Sequence, residues 1–213
     1  MPTVGDTGRA PASDTLGGYL SVSGTPRDPS GFVVRRNAFS GQGLSWEYHS
    51  APNTSPMFEV LRHSQAPDGT LYLVEESPGV GVYRKAFVTV LDGASGQVRS
   101  RVALPASSGC FSDLTTGVRR PVPILPYYTL TPVVSRDGAA YMVVATQYET
   151  CGSGMGESRV WSVGAAIDLV RIAPSGSDTV IRVRGYEQLM CHSCPHPLRG
   201  FGTRSELTPD GTG

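Results

Sequence analysis

Cysteine is the residue type with the most chemistry open to it in this chain. The sequence contains four cysteines and four histidines, and two of each type lie together in Cys191-His192-Ser193-Cys194-Pro195-His196. A C-x-x-C pair can place two thiolates on one tetrahedral metal ion, and His196 could add a third ligand. The segment is not a c-type haem attachment signal, because Pro195 and not histidine follows Cys194. One prediction is therefore a metal site at Cys191, Cys194 and His196.

Disulfide formation is the alternative for the same residues. The cysteines are Cys110, Cys151, Cys191 and Cys194, and all four are predicted to lie in insertions between strands, at residues 105–126, 151–156 and 187–203. Crosslinks there would tether long loops and would indicate a periplasmic or secreted location. Their even number agrees with full pairing, although four cysteines allow three pairings. If a metal binds instead, Cys110 or Cys151 is the expected fourth ligand, and free thiols are a third possibility.

Other polar groupings are weaker candidates for chemistry. His49 lies near Glu47 and His63 lies near Glu59, which is a spacing that acid–base catalysis could use. Residues at alternate positions of short strands more often occupy surface or inter-sheet sites. Glu75-Glu76 directly follows an apolar run, as a Ca²⁺ site can, but solvated loop carboxylates are the simpler interpretation. No catalytic residue is predicted, since the sequence has no nucleophile elbow and no phosphate-binding loop.

Charge and hydropathy exclude two classes of partner. Lys+Arg and Asp+Glu both number 18, so no net field attracts nucleic acid or an anionic membrane. No run of 18 apolar residues is present, so no membrane insertion is predicted. Residues 1–18 lack the apolar core of a secretory signal. We therefore expect either a cytosolic protein or a Met1 that is not the true beginning of the parent chain.

The elements that must position these residues are short strands. Gly and Pro number 26 and 17 among 213 residues, a composition that suits many turns better than helices. Residues 66–105 predict a three-strand meander, with apolar runs at Thr70–Val74, Ala86–Leu91 and Gln97–Leu104. Residues 1–29 are rich in Gly, Pro, Ser, Thr and Asp, and they predict an irregular lead-in.

Glycine turns recur along the chain. Asp-Gly dipeptides begin at Asp68, Asp137 and Asp210, and Ser-Gly dipeptides begin at Ser40, Ser95 and Ser175. Both dipeptides allow positive φ at low cost and close hairpins between antiparallel strands. The predicted structural turn residues are Asp68, Gly69, Asp92, Gly96, Asp137 and Gly138. A four-stranded sheet repeated in this way must stack on its neighbours, and radial stacking gives a β-propeller.

One turn resembles a known repeat. Val90-Leu91-Asp92-Gly93-Ala94-Ser95-Gly96 resembles the blade motif of PQQ-like (quinoprotein-dehydrogenase-like) propellers, which reads roughly A-x-D-x-x-T-G-x-x-x-W. Ser95 stands for Thr, and Ser100 occupies the place of Trp, so the tryptophan-docking contact is absent from this blade. An earlier copy keeps Trp46, one residue late when counted from Asn37, together with Ser40 and Gly41. The resemblance extends over residues 31–104 and 127–185.

These patterns predict an all-β partial propeller of about three antiparallel four-stranded blades with long loop insertions. The propeller segment is expected over residues 30–213. Blades of such propellers run about 40 residues, so each repeat must carry large loops. The number of blades is too small for a closed ring, which predicts a fragment of a longer propeller, an open stack, or blades borrowed from a partner chain.

The leading functional hypothesis is a non-enzymatic scaffold or binding module whose Cys-bearing insertions form the recognition face. Its ligand is an unknown protein or small molecule, and no cofactor is predicted for it. The resemblance implies an alternative, a quinoprotein-like oxidoreductase with pyrroloquinoline quinone (PQQ) and Ca²⁺ at the propeller axis. Many members of that family also have a disulfide between adjacent cysteines, and this sequence has no Cys-Cys pair. A metal-binding module around Cys191 and Cys194 is the third hypothesis.

Overall fold

The computed structural model describes residues 12–24, 29–39, 44–52, 54–56, 62–76, 85–112, 119–126, 128–149 and 160–191. Within these ranges the regular secondary structure consists of β-strands in three sheets, and no helix occurs. The all-β prediction is therefore confirmed. The same ranges hold no helix that is long and apolar enough to cross a membrane.

The first sheet has four antiparallel strands in sequence order. They are β1 (Ala12–Ser13), β2 (Gly18–Ser23), β3 (Val33–Ala38) and β4 (Leu44–His49). Successive side chains alternate between the two faces of a strand. One face presents the buried residues Leu20, Val34, Trp46 and Tyr48. The other face is polar and includes the ion pair between Arg35 and Glu47, whose Nε and Oε1 atoms are 2.6 Å apart.

Strands β1 and β2 correct the expectation that residues 1–29 are an irregular lead-in. Asp14 closes the turn between them, because its Oδ1 accepts hydrogen bonds from the backbone N–H groups of Leu16 (2.7 Å) and Gly18 (2.9 Å). The same carboxylate forms a buried ion pair with Arg36, with 2.7 Å between Oδ2 and Nε. Only one face of β2 is apolar, so the sequence signal for a strand is weak. The turn between β1 and β2 is stabilised by Arg36, which lies on the neighbouring strand β3.

The second sheet lies at the centre of the described structure. Its strands are β5 (Ser55–Pro56), β6 (Arg62–Gln65), β7 (Leu71–Glu76), β8 (Ala86–Leu91) and β9 (Val98–Ala103). Strands β5 and β6 both pair with β7, and the order continues through β8 to β9. Every residue of β7 and β8 is buried. Burial on both faces explains why these two strands appear in the sequence as continuous apolar runs.

The third sheet has seven strands. They are β10 (Ser107–Ser112), β11 (Arg119–Ile124), β12 (Tyr128–Thr129), β13 (Val133–Val134), β14 (Ala140–Glu149), β15 (Val160–Ile172) and β16 (Asp178–Cys191). Strand β14 pairs with β12, β13, β15 and β10, and β15 also pairs with β16. All pairings are antiparallel except that of β10 with β14, which is a single parallel bridge between Ser108 and Tyr148.

Two regions expected to be insertions contain strands. Strands β10 and β11 lie within the proline-punctuated segment 105–126, and β16 continues to Cys191 although irregular chain was expected from Glu187. Cys110 therefore lies inside β10 and Cys191 ends β16, which corrects the expectation that no cysteine is in a strand. Strand β11 lies at the edge of its sheet. An edge strand tolerates prolines because one side of its backbone needs no ladder partner.

The three sheets stack face to face through two hydrophobic clusters. Between the first and second sheets, Leu20, Phe32, Val34, Trp46 and Tyr48 pack on Leu71, Leu73 and Leu91. Between the second and third sheets, residues such as Tyr72, Val74, Val88 and Val102 pack on residues such as Ala140, Met142, Val144, Val170 and Ile172. Each fully buried side chain of this size contributes about 1.5–3 kcal/mol. The stacking is therefore the main source of stability for sheets that are too small to fold alone.

Tight turns of one type recur in the stack. Gly69, Gly138 and Gly176 have φ angles of 87°, 80° and 88°. Each donates its N–H to the residue three positions earlier, at N···O distances of 2.9, 3.0 and 2.8 Å. Gly96, in the turn between β8 and β9, has φ of 71°. These are left-handed conformations, which cost a residue with a Cβ atom about 1–2 kcal/mol.

Candidate functional site

Trp46 makes the most specific contact between the first and second sheets. Its indole Nε1–H donates a hydrogen bond of 2.9 Å to the carbonyl oxygen of Gly93, in the turn between β8 and β9. The indole ring also lies against Gly96 of the same turn, where an added Cβ atom would come within 2.7 Å of the ring. Gly96 therefore serves two purposes, since it supplies a positive φ and leaves room for the indole ring.

Ser100 occupies in the second sheet the position that Trp46 occupies in the first. Trp46 is paired with Arg36 beside a bulge in its sheet, and Ser100 is paired with Val90 beside the corresponding bulge. Ser100 lies against Gly176, where an added Cβ atom would come within 2.0 Å of the serine Oγ. The side chain at this position thus meets a turn glycine of the following sheet in both cases.

The sheet register also explains why Trp46 falls one residue late when counted from Asn37. Asn37 is the last residue of β3 that pairs with β4, and Leu91 is the last residue of β8 that pairs with β9. Asn37 therefore corresponds to Leu91 and not to Asp92. With this shift of one residue, Trp46 falls at the position of Ser100, whereas Ser40 and Gly41 fall one residue before the positions of Ser95 and Gly96.

A second type of contact joins turns at the same end of the sheets, where the turn before β7 lies beside the turn after β8. The hydroxyl of Tyr72 on β7 donates a hydrogen bond of 2.6 Å to the carbonyl oxygen of Gly138, in the turn between β13 and β14. Burial raises the pKa of Tyr72 to about 12. The first and second sheets make a comparable contact. The Thr15 hydroxyl donates a hydrogen bond of 3.0 Å to the carbonyl oxygen of Ala66, and Leu16 lies against Gly69.

A buried charged cluster lies between the first two sheets. Glu75 on β7 has no accessible side-chain surface, and it accepts hydrogen bonds from the Tyr48 hydroxyl (2.9 Å) and the Arg101 guanidinium (3.1 Å). The Arg101 guanidinium also lies 3.3 Å from the centroid of the Phe87 ring. Burial raises the pKa of Glu75 despite these donors, and burial likewise raises the pKa of Tyr48. The cluster joins β4, β7 and β9.

Glu75 and Glu76 correct the interpretation of this pair as solvated loop carboxylates. Both are buried within β7. Local sequence could not indicate this burial, because the donors that satisfy Glu75 come from other strands. Sequence reasoning also missed Tyr48 and Arg101 as partners. The only signal available was the alternation of β9, which places Arg101 on the same face of the sheet as Thr89, its partner in β8.

The aspartates of the predicted turns hold those turns together. Asp92 accepts hydrogen bonds from the backbone N–H groups of Ala94 and Ser95 and pairs with Arg99 at 2.5 Å. Asp137 accepts from the N–H of Ala139 and forms an ion pair of 3.0 Å with Arg171. For Asp92, the Arg99 hydrogen bond lowers the pKa to about 2.

For Asp137, the hydrogen bond from the Ser135 hydroxyl is the main cause of a pKa that is lowered to about 2. Asp68 plays the same structural part in its own turn, because its Oδ1 accepts a bond of 2.9 Å from the N–H of Thr70.

Cys110 and the backbone of Cys191 lie toward one end of the third sheet. Strands β14, β15 and β16 have 10, 13 and 14 residues, whereas the longest strands of the other two sheets have six. The strand ends with Glu149, Val160 and Cys191 lie together, since Cys191 pairs with Val160 and Glu149 pairs with Val163. Strand β10 joins this extension through Ser108 and Tyr148.

Cys110 on β10 is disulfide-bonded, and the described part of the chain contains no free cysteine. Its partner has a side chain outside the described residues. Cys151, Cys194 and His196 also lie outside those residues, and only the backbone of Cys191 is described. The predicted metal site therefore stays a prediction. In the described ranges no group of three or more His, Cys, Asp or Glu side chains could hold a metal ion.

The histidine–glutamate pairs have separate outcomes. His49 Nε2 lies 3.1 Å from Glu47 Oε2 on the exposed face of the first sheet. His63 lies on β6, and Glu59 is outside the described residues. Glu47 is also ion-paired with Arg35, which donates a hydrogen bond to the Ser23 hydroxyl, so the first pair belongs to the polar side chains on the outside of the first sheet.

No protein-family model matches the chain, and no curated protein matches it significantly. The resemblance to PQQ-like repeats consequently stays a prediction.

Proposed function

We propose that this chain is a segment of a β-propeller that acts as a binding scaffold, with the cysteine-rich end of the third sheet as its recognition surface. The recognised partner is a protein or a small ligand met outside the cytoplasm. The observation that carries the proposal is the extension of β14, β15 and β16 beyond the stacked part of the sheets.

The extension is suited to recognition because it combines a rigid base with long connections. Its base is continuous with strands packed in the core between the second and third sheets. The connections beyond Glu149 and Cys191 carry Cys151 and Cys194, and the adjoining β10 carries the disulfide-bonded Cys110. Loops held on a rigid scaffold are common sites of binding. A disulfide that persists also fits a periplasmic or secreted location.

The propeller component is supported by the repeated contacts between successive sheets. Trp46 meets Gly96 and Ser100 meets Gly176 at equivalent positions. The strands β6 to β9 and β13 to β16 each follow one another in antiparallel order, as propeller blades do. Equivalent contacts on every sheet are expected when each sheet is placed on the previous one by the same rotation and translation.

The test uses arrays of peptides and of glycans probed with the purified oxidised chain. We expect at least one class of array ligand to bind, with binding lost in the double variant Gln147→Ala/Tyr148→Ala at the extension. The matched control is Arg35→Ala/Glu47→Ala, on the polar face of the first sheet, which should bind as the wild type does. Equal loss in both variants, or no ligand on either array, would contradict the recognition surface.

A quinoprotein-like oxidoreductase is the second candidate, and the Trp46 contact favours it. That contact agrees with the tryptophan-docking interaction that the motif resemblance implies. The described residues do not supply a cluster of acidic or other ligands suited to Ca²⁺, and we derive no reaction step through a cofactor. Titration of the chain with PQQ and Ca²⁺, followed by absorbance, tests this candidate. A spectrum equal to the sum of the separate components after gel filtration excludes it.

The metal-binding module around Cys191 and Cys194 is tested by metal analysis. With Cys110 disulfide-bonded and Cys151 as its expected partner, the expected ligands reduce to Cys191, Cys194 and His196. Stoichiometric zinc in the purified chain that is lost in Cys194→Ser would support this module. Metal-free protein after purification in zinc-containing buffer would remove it.

A further inference from the structure

The outer face of the third sheet, turned away from the second sheet, carries an apolar patch beside Arg171, whose Nε donates a hydrogen bond of 3.1 Å to the Tyr141 hydroxyl. On β14, Ala140, Met142 and Val144 pack on the second sheet. The alternating residues Tyr141 and Val143 therefore lie on the opposite face. Leu169 on β15 pairs with Val143, and Ile181 on β16 pairs with Leu169. The name "outer face" below means Tyr141, Val143, Leu169 and Ile181.

Each residue of the outer face has an equivalent in the second sheet that is covered. Tyr72 and Val74 lie three and five residues after Gly69 in the sequence, and Tyr141 and Val143 lie three and five residues after Gly138. Val88 pairs with Val74 and with Val102, as Leu169 pairs with Val143 and with Ile181. The covered set in the second sheet is therefore Tyr72, Val74, Val88 and Val102.

The difference between the two sets is their exposure to solvent. Tyr72, Val74 and Val88 are fully buried under the third sheet and Val102 is 6% exposed, whereas Ile181 is 54% exposed. Tyr141, Val143 and Leu169 are each partly exposed. At these four positions the third sheet thus repeats a surface that elsewhere in this chain packs on another sheet, whereas Arg171 stands where the second sheet has Val90. An exposed apolar face of this kind marks an interaction surface.

The opposite end of the stack has a different character. On the outside of the first sheet, the positions equivalent to Thr89 and Arg101 are Arg35 and Glu47, which form an ion pair. Ser21 and Ser23 lie on the same side of that sheet, opposite to Leu20. A charged and hydroxyl-bearing face suits water. The same side also carries Val33 and the Tyr19–Phe39 ring contact. The ion pair and the serines nevertheless make it more polar than the outer face of the third sheet.

We propose that the outer face is covered by a further sheet of the same repeat, and that the first turn of this sheet is Pro209-Asp210-Gly211-Thr212. The sequence of that turn is identical to Pro67-Asp68-Gly69-Thr70, which opens β7. Tyr72 donates to the carbonyl oxygen of Gly138 in the following sheet. By the same rule the hydroxyl of Tyr141 donates to the carbonyl oxygen of Gly211. This inference rests on the stacked-sheet component of the proposed function and not on ligand binding.

The proposal is tested by photo-crosslinking in the full chain. Tyr141 is replaced by p-azidophenylalanine, which has nearly the same shape, and the crosslinked peptides are identified by mass spectrometry. We expect a crosslink within one chain to a peptide that contains residues 206–212. The matched control is the same replacement at Tyr19, which lies on the polar face of the first sheet and should not crosslink to that peptide.

Two outcomes overturn the proposal. A crosslink from position 141 to a second copy of the chain makes the outer face a contact between copies. Absence of any crosslink, in protein with the circular dichroism spectrum of the wild type, means that this turn does not reach Tyr141. Because no ligand is used, either outcome leaves the recognition surface of the proposed function untouched.

A second measurement leaves Tyr141 unmodified. Residues 209–212 are replaced by four serines, and binding of the hydrophobic dye ANS is compared with that of the unmodified chain. We expect dye fluorescence to increase, because the outer face loses part of its cover. The same replacement of residues 25–28 is the control and should leave the fluorescence unchanged. An equal signal in all three proteins contradicts the proposal.

Discussion

Trp46 and Ser100 hold the same register position in successive sheets although they share no chemistry. Each lies beside a bulge, and each meets a glycine of positive φ in the sheet that follows. The tryptophan adds a hydrogen bond to Gly93, whereas the serine side chain is small enough to approach Gly176 closely. The geometry of stacking is therefore retained where the side chain changes, and the two interfaces should respond differently to substitution.

Truncation of Trp46 should destabilise the protein strongly. Trp46→Ala removes a buried ring between two sheets, and such changes cost about 3–5 kcal/mol. Trp46→Phe keeps most of the ring but leaves the Gly93 carbonyl without its donor, at a cost of about 1–3 kcal/mol. Urea denaturation measures both values. Phe39→Ala is the control, because Phe39 is 65% exposed, and a loss as large as that of Trp46→Ala would refute the assigned role of Trp46.

Gly96→Ala should destabilise the protein by more than the backbone alone requires. A residue with a Cβ atom at φ of 71° costs about 1–2 kcal/mol, and here the methyl group would also contact the Trp46 ring. Gly109→Ala is the matched control, since nothing lies within 4 Å of its added Cβ atom. In a Trp46→Ala background the penalty at Gly96 should fall toward the backbone value. Thermal melting of the four variants measures this coupling, and additive effects would show that the two residues do not interact.

Glu75 should make stability decrease as pH rises. Its pKa is raised in the folded protein from the usual 4.5, chiefly by burial. The folded state therefore holds the proton more tightly than the unfolded state, and this contribution is present below pH 4.5 and lost as pH rises through the folded pKa. The free energy of unfolding of the wild type minus that of Glu75→Gln should fall over this window. A difference that is constant from pH 4 to pH 8, or that rises, contradicts the buried state of Glu75.

Asp137 should have the opposite effect at lower pH. Its pKa is lowered from 3.8 to about 2, first by the Ser135 hydroxyl. Its contribution is therefore present above pH 3.8 and lost as pH falls toward 2. Relative to Asp137→Asn, the wild type should lose stability over that range in a denaturation series. Asp178→Asn, an exposed carboxylate at the start of β16, controls for the loss of one charge. The same pH dependence in both variants would disprove a specific role for the turn.

Cys110 is expected to be paired with Cys151. Strand β10 runs parallel to β14 with Ser108 opposite Tyr148, so continuation of that register would place position 150 opposite Cys110, with Cys151 one residue beyond it. Neighbouring strands are separated by a distance that a disulfide can span. Peptide mapping of unreduced protein should recover the linked peptides. Cys110→Ser and Cys151→Ser should each cost about 2–4 kcal/mol, and recovery of Cys110 linked to Cys191 or Cys194 would contradict the pairing.

Local sequence patterns were sufficient to predict the hairpin turns. Positive φ is a property of single residues, so Gly69, Gly96 and Gly138 mark turns without knowledge of their neighbours. Strands β7 and β8 were equally visible, because burial on both faces requires apolar residues at nearly every position. The strand content of the central region could therefore be predicted from the sequence.

Features that depend on distant residues could not be predicted. Strand β2 has a weak pattern because one of its faces is polar, and the turn before it requires the carboxylate of Asp14 held by Arg36. The burial of Glu75 depends on donors from β4 and β9, which only the stacking of two sheets brings together. The cysteine-bearing strands β10 and β16 were also missed, since polar residues and prolines are tolerated at the edge of a sheet.

Burial of the second sheet on both faces limits how this protein can be divided for expression. A cut after β4 would leave Leu71, Leu73 and Leu91 facing water, and a cut after β9 would do the same to Tyr72, Val88 and Val102. Neither fragment would have a partner for its new surface, so both should aggregate when produced separately. When the two fragments are expressed together in one cell, they should instead associate, because the apolar surfaces that either cut exposes are complementary.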